Sequence, residues 1–429
     1  MMSEILILVL SFVILLAIGV PVAWTIGISS LLAILASIDS LAAFTTIAQR
    51  MATGLDSFSL LAIPLFILAG QIMNQGGIAN RLIDFAKALM GALPGGLIYV
   101  NVFASMLFGA ISGSAVAATS AIGGILGPPM EKEGYSKEFG AAVNITSSTT
   151  GLIIPPSNIL IVYSLASGGV SIASLFLAGY LPGILMGLAL MLTAAFWIKK
   201  KKYPAGERSS FKRIVVTFFD ALPSLLLLVV VIGGIVSGIF TATEASGIAV
   251  LYTLVLSFIN KELKISSLHR VFLGSVGTTA IVMLLIATSM SMSWVMSYEN
   301  IPQAVSDALL GLSDNVFVIL LVINLLLLFV GIFMDITPAV LIFTPIFLPV
   351  VVGLGVDPVH FGIIMIMNLC VGLCTPPVGS VLFIGVSVAK TSIQKVIKPL
   401  LPLYLAMAIV LLLVTFVPQI SLWLPGLFE

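Results

Sequence analysis

The apolar runs of this chain are too long and too often interrupted to be simple crossing helices. Residues 5–36 carry no charged side chain, and a straight helix over them would reach about 48 Å at 1.5 Å per residue. The hydrocarbon core of a bilayer is roughly 30 Å thick, so this run must tilt strongly, bend near Gly19-Val20-Pro21 or fold back. Residues 97–130 are again too long for one crossing and contain Gly109, Gly113, Gly123, Gly124 and Pro128-Pro129, which suits a span followed by a re-entrant helical hairpin. Residues 139–166 are split by Pro155-Pro156. Shorter or unbroken runs cover 55–73 and 173–198. With 60% hydrophobic and 8% charged residues, against about 25% charged in a soluble domain, no separate soluble domain remains. The fold class is an all-α polytopic membrane protein with broken helices.

The sparse charges speak to topology rather than to partners. A net charge of +1 gives no reason to expect nucleic acid as a partner. Lys199, Lys200, Lys201, Lys202, Arg208, Lys212 and Arg213 fall in a polar linker, residues 199–213, which the positive-inside rule makes cytoplasmic. Lys261, Lys264 and Arg270 mark a second cytoplasmic turn, whereas residues 310–315 carry acid without base. No Lys or Arg precedes the first apolar run, which argues against a cleaved signal. Cys370 and Cys374, four apart in an apolar helix, read as small hydrophobes rather than as a disulfide or metal pair.

The linker divides the chain into a first repeat, residues 1–198, and a second, residues 214–429. Landmarks recur between them in order: Gly19 and Gly238, Gly27 and Gly247, Gly91 and Gly311, Gly109 and Gly331, Phe139-Gly140 and Phe361-Gly362, Pro155-Pro156 and Pro376-Pro377, Leu181-Pro182 and Leu401-Pro402. Subtraction gives separations of 219, 220, 220, 222, 222, 221 and 220, the mark of an internal duplication. The first half then holds a hairpin at about 109–130 and a broken helix at about 139–166. The second holds a hairpin at about 331–351 and a broken helix at about 361–389. Counting segments leaves open whether the repeats are parallel or inverted.

Paired interrupted apolar segments in two halves of one chain point to a transporter's binding site. Where a helix unwinds in lipid, its freed carbonyls and amides need partners, and an alkali cation or an anionic substrate can supply them. In the first half the candidates are Ser112, Gly113 and Ser114 at a hairpin tip, with Thr119 and Ser120 beyond it. They pair with the run from Asn144 to Gly151 and with Pro155, Pro156, Ser157 and Asn158. Proline removes a backbone donor, and hydroxyl, amide and carbonyl oxygens are hard ligands. Close helix packing through the same small residues is the alternative reading. In the second half the counterparts are Asp335, Thr337 and Pro338, then Asn368, Thr375, Pro376, Pro377 and Gly379. Asp335 lies among apolar neighbours where a carboxylate costs roughly 2.5–3.5 kcal/mol on insertion scales. No Lys or Arg is near it in sequence. A bound cation would offset that cost; a capping role at a water-facing half-helix is the alternative.

Other polar residues say less. Glu244, Glu299, Asp220 and Asp56 sit near segment ends, as helix-start acids do. Two histidines, His269 and His360, are too few for haem pairs, and no phosphate-binding Gly-Lys-Ser/Thr loop is present. The stretch Gly353-Leu354-Gly355-Val356-Asp357 has the look of an intramembrane aspartyl protease, but Pro358 follows and no second such Asp appears. Trp24, Trp197, Trp294 and Trp423 suit interfacial anchoring. A membrane enzyme is therefore the least supported class.

At Phe108 to Ser114, Ile154-Pro155-Pro156-Ser157, Met334 to Pro338 and Cys374 to Gly379, the sequence resembles the large membrane subunit of the tripartite ATP-independent periplasmic (TRAP) transporters. It is more similar to the sialic-acid type than to the C4-dicarboxylate type, and the resemblance covers essentially the whole chain. It implies a multi-pass protein of the bacterial inner membrane with two inverted repeats, moving as an elevator and driven by sodium. By that resemblance one sodium ion would sit at Ser112, Ser114, Gly151, Pro155 and Pro156. A second would sit at Asp335, Thr337, Thr375, Pro376 and Gly379. An organic acid would lie near Ser112, Thr119, Asn158 and Thr337, although no intramembrane Arg stands ready for its carboxylate. The implied partners are a small four-helix membrane subunit and a periplasmic substrate-binding protein. The competing expectations are a stand-alone sodium-coupled carboxylate carrier of related hairpin architecture and a passive channel.

Overall fold

The computed structural model describes the chain except for Met1, Gly76, Lys202, Pro204, Glu207, Glu262 and Glu429. Lys202, Pro204 and Glu207 of the basic linker thus lie outside the described residues, as do Met1 at the start of the first half and Glu429 at the end of the second. Among the described residues the elements are helical, with one isolated β-bridge between Pro94 and Ala205. Seven helices there are long and apolar enough to cross a membrane, and up to nine if each of two bent pairs is one span.

Of the three options open to residues 5–36, the chain folds back. Met2–Ala17 and Val22–Leu35 pack against each other across a turn at Gly19, whose φ of +85° is open to glycine without steric cost. Phe211–Val236 and Ala242–Ile259 make the same reversal at Gly238, with φ +71°. Thr241 and Glu244 form a capping box at the start of the second of these helices, so Glu244 is the helix-start acid its position suggested.

The run at 55–73 extends further than its hydropathy indicated. Ser40–Gly54 and Phe58–Asn74 form one pair bent by 64°. The first member escapes an apolar reading because Thr45, Thr46, Gln49 and Arg50 interrupt it. Helix Ala62–Gln75 packs on Ala242–Ile259 and on the long helix Ile265–Tyr298. These form an outer layer of the bundle.

The two hairpins are longer than expected. Gly96–Ser112 and Ala115–Lys132 are the arms of the first, packed together, so residues 97–108, read as a separate span, are part of its first arm. The hairpin occupies 96–132 rather than 109–130. The turn is made by Gly113 at φ +61°, and Pro128 and Pro129 are taken into the second arm without ending it. The second hairpin, Val316–Phe333 and Ile336–Gly353, likewise begins before Gly331. Each is followed by a broken helix. Lys137–Ile153 and Asn158–Ala166 meet at 52° around the cis Pro155-Pro156 bond, and Pro358–Leu373 and Ser380–Val388 flank the cis Pro376-Pro377 bond. Ile172–Lys201 and Ile393–Phe416 close the two halves.

Helix starts at Val22, Gly96, Ala115, Lys137, Asn158 and Ile172 precede starts at Ala242, Val316, Ile336, Pro358, Ser380 and Ile393 by 220, 220, 221, 221, 222 and 221 residues.

Glycine holds each hairpin against its broken helix. A Cβ on Gly151 would stand 2.3 Å from the Gly109 Cα, and one on Gly372 would stand 2.6 Å from the Gly331 Cα. Buried amides tie the same elements together. Asn101 donates to Asn144 Oδ1 at 3.4 Å, Asn144 to the Thr119 carbonyl at 2.8 Å, and Asn368 to Asn324 Oδ1 at 2.6 Å. Cys370 and Cys374 are free thiols, buried between the two broken helices with their sulfurs toward the carbonyls of Thr149 and Ile145.

Candidate binding cavity

Four helices begin at one place. The second hairpin arms start at Ala115 and Ile336, and the distal halves of the broken helices start at Asn158 and Ser380. Residues of all four first turns line a single cavity of about 460 Å³. The sequence dictates each start. Gly113 turns the chain and Ser114 Oγ accepts from the Ala117 N–H at 3.2 Å; Asp335 occupies the corresponding cap position of the second hairpin; and prolines stop the preceding helices before Asn158 and Ser380. The first N–H groups of a helix have no partner within it, and its dipole places about half a positive charge there. Converged N-termini therefore favour an anion.

The cavity's charge is equally definite. Among the described lining residues Asp335 is the one ionisable side chain. It makes no side-chain capping bond to its helix and is exposed to the cavity. Uncharged polar groups supply the rest of the polar wall, in part from Ser112, Ser114, Asn158 and Thr337. Ser112 Oγ lies 3.5 Å from the carbonyls of Gly109 and Ser114, contacts so long that the hydroxyl is available to a ligand.

The structure thus brings Ser112, Ser114, Asn158, Asp335 and Thr337 to one wall. It places the other expected residues elsewhere. Thr119 is a correction: it is fully buried and bonded to the Ala115 carbonyl at 2.7 Å and Ser148 Oγ at 2.5 Å, fastening hairpin to broken helix instead of facing the cavity. Gly151 is in the helix-packing contact with Gly109. Pro155 and Pro156 are buried at the break behind Leu152, which does reach the wall. Thr375, Pro376 and Gly379 form the second break, one layer behind Leu373 and Ser380. There Thr375 Oγ1 donates to the Val371 carbonyl at 2.8 Å, and a Cβ on Gly379 would stand 2.6 Å from the Leu373 carbonyl oxygen and 2.8 Å from that of Thr375. At the second break the carbonyl oxygens of Leu373 and Thr375 thus lie close together beside Gly379.

Sequence reasoning missed the part of the wall that two further helices supply beside the first tip. Helix Ala62–Gln75 contributes Gly70, Gln71 and Asn74, and Ile265–Tyr298 contributes Thr278. Gly70 is where that helix meets the first tip, since a Cβ there would be 2.8 Å from the Ser112 carbonyl oxygen. The available signal was two amides three residues apart at the end of an apolar run.

Comparison with known proteins agrees with this geometry. Residues 9–420 match the family described as "Tripartite ATP-independent periplasmic transporter, DctM component". An uncharacterized protein, YgiK, of Salmonella typhimurium is 57% identical, over 97% of this chain and 96% of its own. The large permease SiaM of a Vibrio cholerae sialic acid TRAP transporter is 39% identical over 89% of both chains. The large permease DctM of a Rhodobacter capsulatus C4-dicarboxylate TRAP transporter is 38% identical, over 95% of this chain and 96% of its own. Among solved structures, the Alcanivorax borkumensis YdaH transporter shares the fold with a TM-score of 0.67 at 14% identity, over 91% and 90% of the two chains.

Proposed function

Since this chain belongs to the DctM family of tripartite ATP-independent periplasmic transporters, a large permease subunit of the bacterial inner membrane and no enzyme, we propose that it imports sialic acid coupled to sodium. Organic-acid import is the family's business; the sugar acid and the ion are our reading. The observation that carries it is the convergence of four helix N-termini on one cavity in which the one ionisable side chain among the described lining residues is acidic. Such a site attracts a carboxylate through its backbone and a cation through Asp335.

One sodium ion would be held by Ser112, Ser114 and the main chain at Gly151, Pro155 and Pro156. The other would be held by Asp335, Thr337 and the main chain at Thr375, Pro376 and Gly379. The acid would lie between the tips, against Ser112, Asn158 and Thr337. Thr119 then acts behind the first tip, by positioning it. The hairpins and broken helices would move as one body, an elevator, past the outer helices. The family's small membrane subunit would widen that outer frame, and a periplasmic binding protein would deliver the acid.

Proteoliposomes with all three components test this. Uptake of labelled sialic acid should follow an inward sodium gradient and fall to background when potassium replaces sodium. Equal uptake in potassium would overturn the coupling, and equal uptake by this chain alone would overturn the tripartite requirement.

A further inference from the structure

We infer that the cavity selects a singly charged, hydroxyl-rich acid over a dicarboxylate, and that Gln71 and Asn74 recognise its hydroxyl groups. The inference rests on the sodium-coupled reading above and deepens it.

The first argument is charge. Two sodium ions and the Asp335 carboxylate leave one net positive charge in the cavity, and no cationic side chain is among its described lining residues. One carboxylate neutralises that charge. A second carboxylate would find no further full positive charge among the described lining residues, only the partial charges of helix N-termini.

The second argument is the amides of the cavity wall. Gln71 and Asn74 of helix Ala62–Gln75 line the cavity, together with Thr278 of Ile265–Tyr298, Ser120 and Ser380. Gln71 is partly exposed and Asn74 exposed in the structure, so both amides can reach a ligand. An amide offers a donor and an acceptor together, which matches a hydroxyl, itself donor and acceptor. A carboxylate only accepts and would leave each amide oxygen unmatched. Sites built to bond a substrate hydroxyl reject analogues lacking it far more strongly than apolar pockets reject a size change.

The test is thermal unfolding of the purified chain in detergent, titrated with N-acetylneuraminate, D-gluconate or succinate in saturating sodium chloride, with potassium chloride as the reference salt. The two hydroxylated monoanions should raise the unfolding midpoint at concentrations at least about tenfold below any effect of succinate. Gln71→Ala and Asn74→Ala should each raise the required concentration of N-acetylneuraminate about fivefold or more. Both variants should keep the wild-type shift between potassium and sodium, which also shows that they fold. Succinate acting as well as the monoanions, no acid acting at all, or unchanged acid titrations in both variants would overturn the inference. A midpoint identical in sodium and potassium would instead overturn the sodium-coupled reading on which it rests.

Discussion

Asp335 can be tested with little disturbance to the helix it begins. Asparagine caps a helix about as well as aspartate does, so Asp335→Asn preserves any capping role and removes only the charge. Asp335 makes no side-chain capping bond as it stands, so little capping energy is at stake. If the carboxylate is a sodium ligand, the variant should need at least about tenfold more sodium for half-maximal uptake in the reconstituted three-component system. Wild-type sodium dependence would return Asp335 to the role of a water-facing helix start. Asp335 was legible in the sequence because a carboxylate among apolar neighbours is costly and so demands a reason. Ser112 and Asn158 were legible because they sit beside glycine and proline breaks. Gln71 and Asn74 were not, because two amides near the end of an apolar run resemble any helix reaching the interface, and only the approach of Gly70 to the Ser112 carbonyl puts them beside the tips. Thr119 was misplaced for the converse reason: a hydroxyl on the tip side of the hairpin looks like a ligand until its partner Ser148 is in view.

Among the elements, the hairpins and broken helices are joined by contacts that tolerate almost no change in size. A Cβ on Gly151 would collide with backbone, the Gly109 Cα at 2.3 Å, and backbone cannot swing aside as a side chain can. Gly151→Ala should therefore destabilise by about 1–3 kcal/mol, the usual cost of overpacking, and lower the unfolding midpoint by several degrees. Gly124 is the control, since nothing lies within 4 Å of a Cβ there. In the second arm of the first hairpin, Gly124→Ala should be neutral or raise the midpoint slightly, because alanine is the better helix residue by roughly 0.5–1 kcal/mol. Equal effects at the two sites would show that the Gly109–Gly151 contact does not bear on stability. The amide links predict a similar contrast. Asn368 donates both to the Asn324 carbonyl at 2.9 Å and to its Oδ1 at 2.6 Å, so Asn368→Ala should cost about 0.6–1.7 kcal/mol, the range for hydrogen bonds between membrane helices. The breaks and the hairpin turns were readable in advance because proline and glycine announce them. The hairpin arms were not, because residues 97–108 are apolar throughout apart from Asn101 and Ser105, and hydropathy alone cannot tell a crossing helix from a hairpin arm.

For the whole molecule the decisive quantity is the side on which each hairpin opens. The basic residues from Lys199 to Arg213 lie before and within the first turn of Phe211–Val236, and Lys261 and Lys264 follow Ala242–Ile259. Two crossings separate these clusters, so both can lie in the cytoplasm, as the positive-inside rule asks. Ile265–Tyr298 then carries the chain to the other side, and the second hairpin opens there, between Asn315 and Leu354. Counting back from Lys199 through Ile172–Lys201 and the first broken helix puts the mouth of the first hairpin, with Lys132 and Lys137, in the cytoplasm. The two halves should therefore be antiparallel, with their tips reaching the shared cavity from opposite faces. The native thiols at Cys370 and Cys374 are buried, so single cysteines placed at the exposed positions Glu133 and Asp314 can be read against a silent background. In cells with a permeabilised outer membrane, an impermeant maleimide should label Asp314→Cys at once and Glu133→Cys only after lysis. Labelling of both before lysis, or of neither, would make the halves parallel. Both tips could then share one cavity only by entering from the same face, and nothing would remain on the far side to close behind a moving substrate.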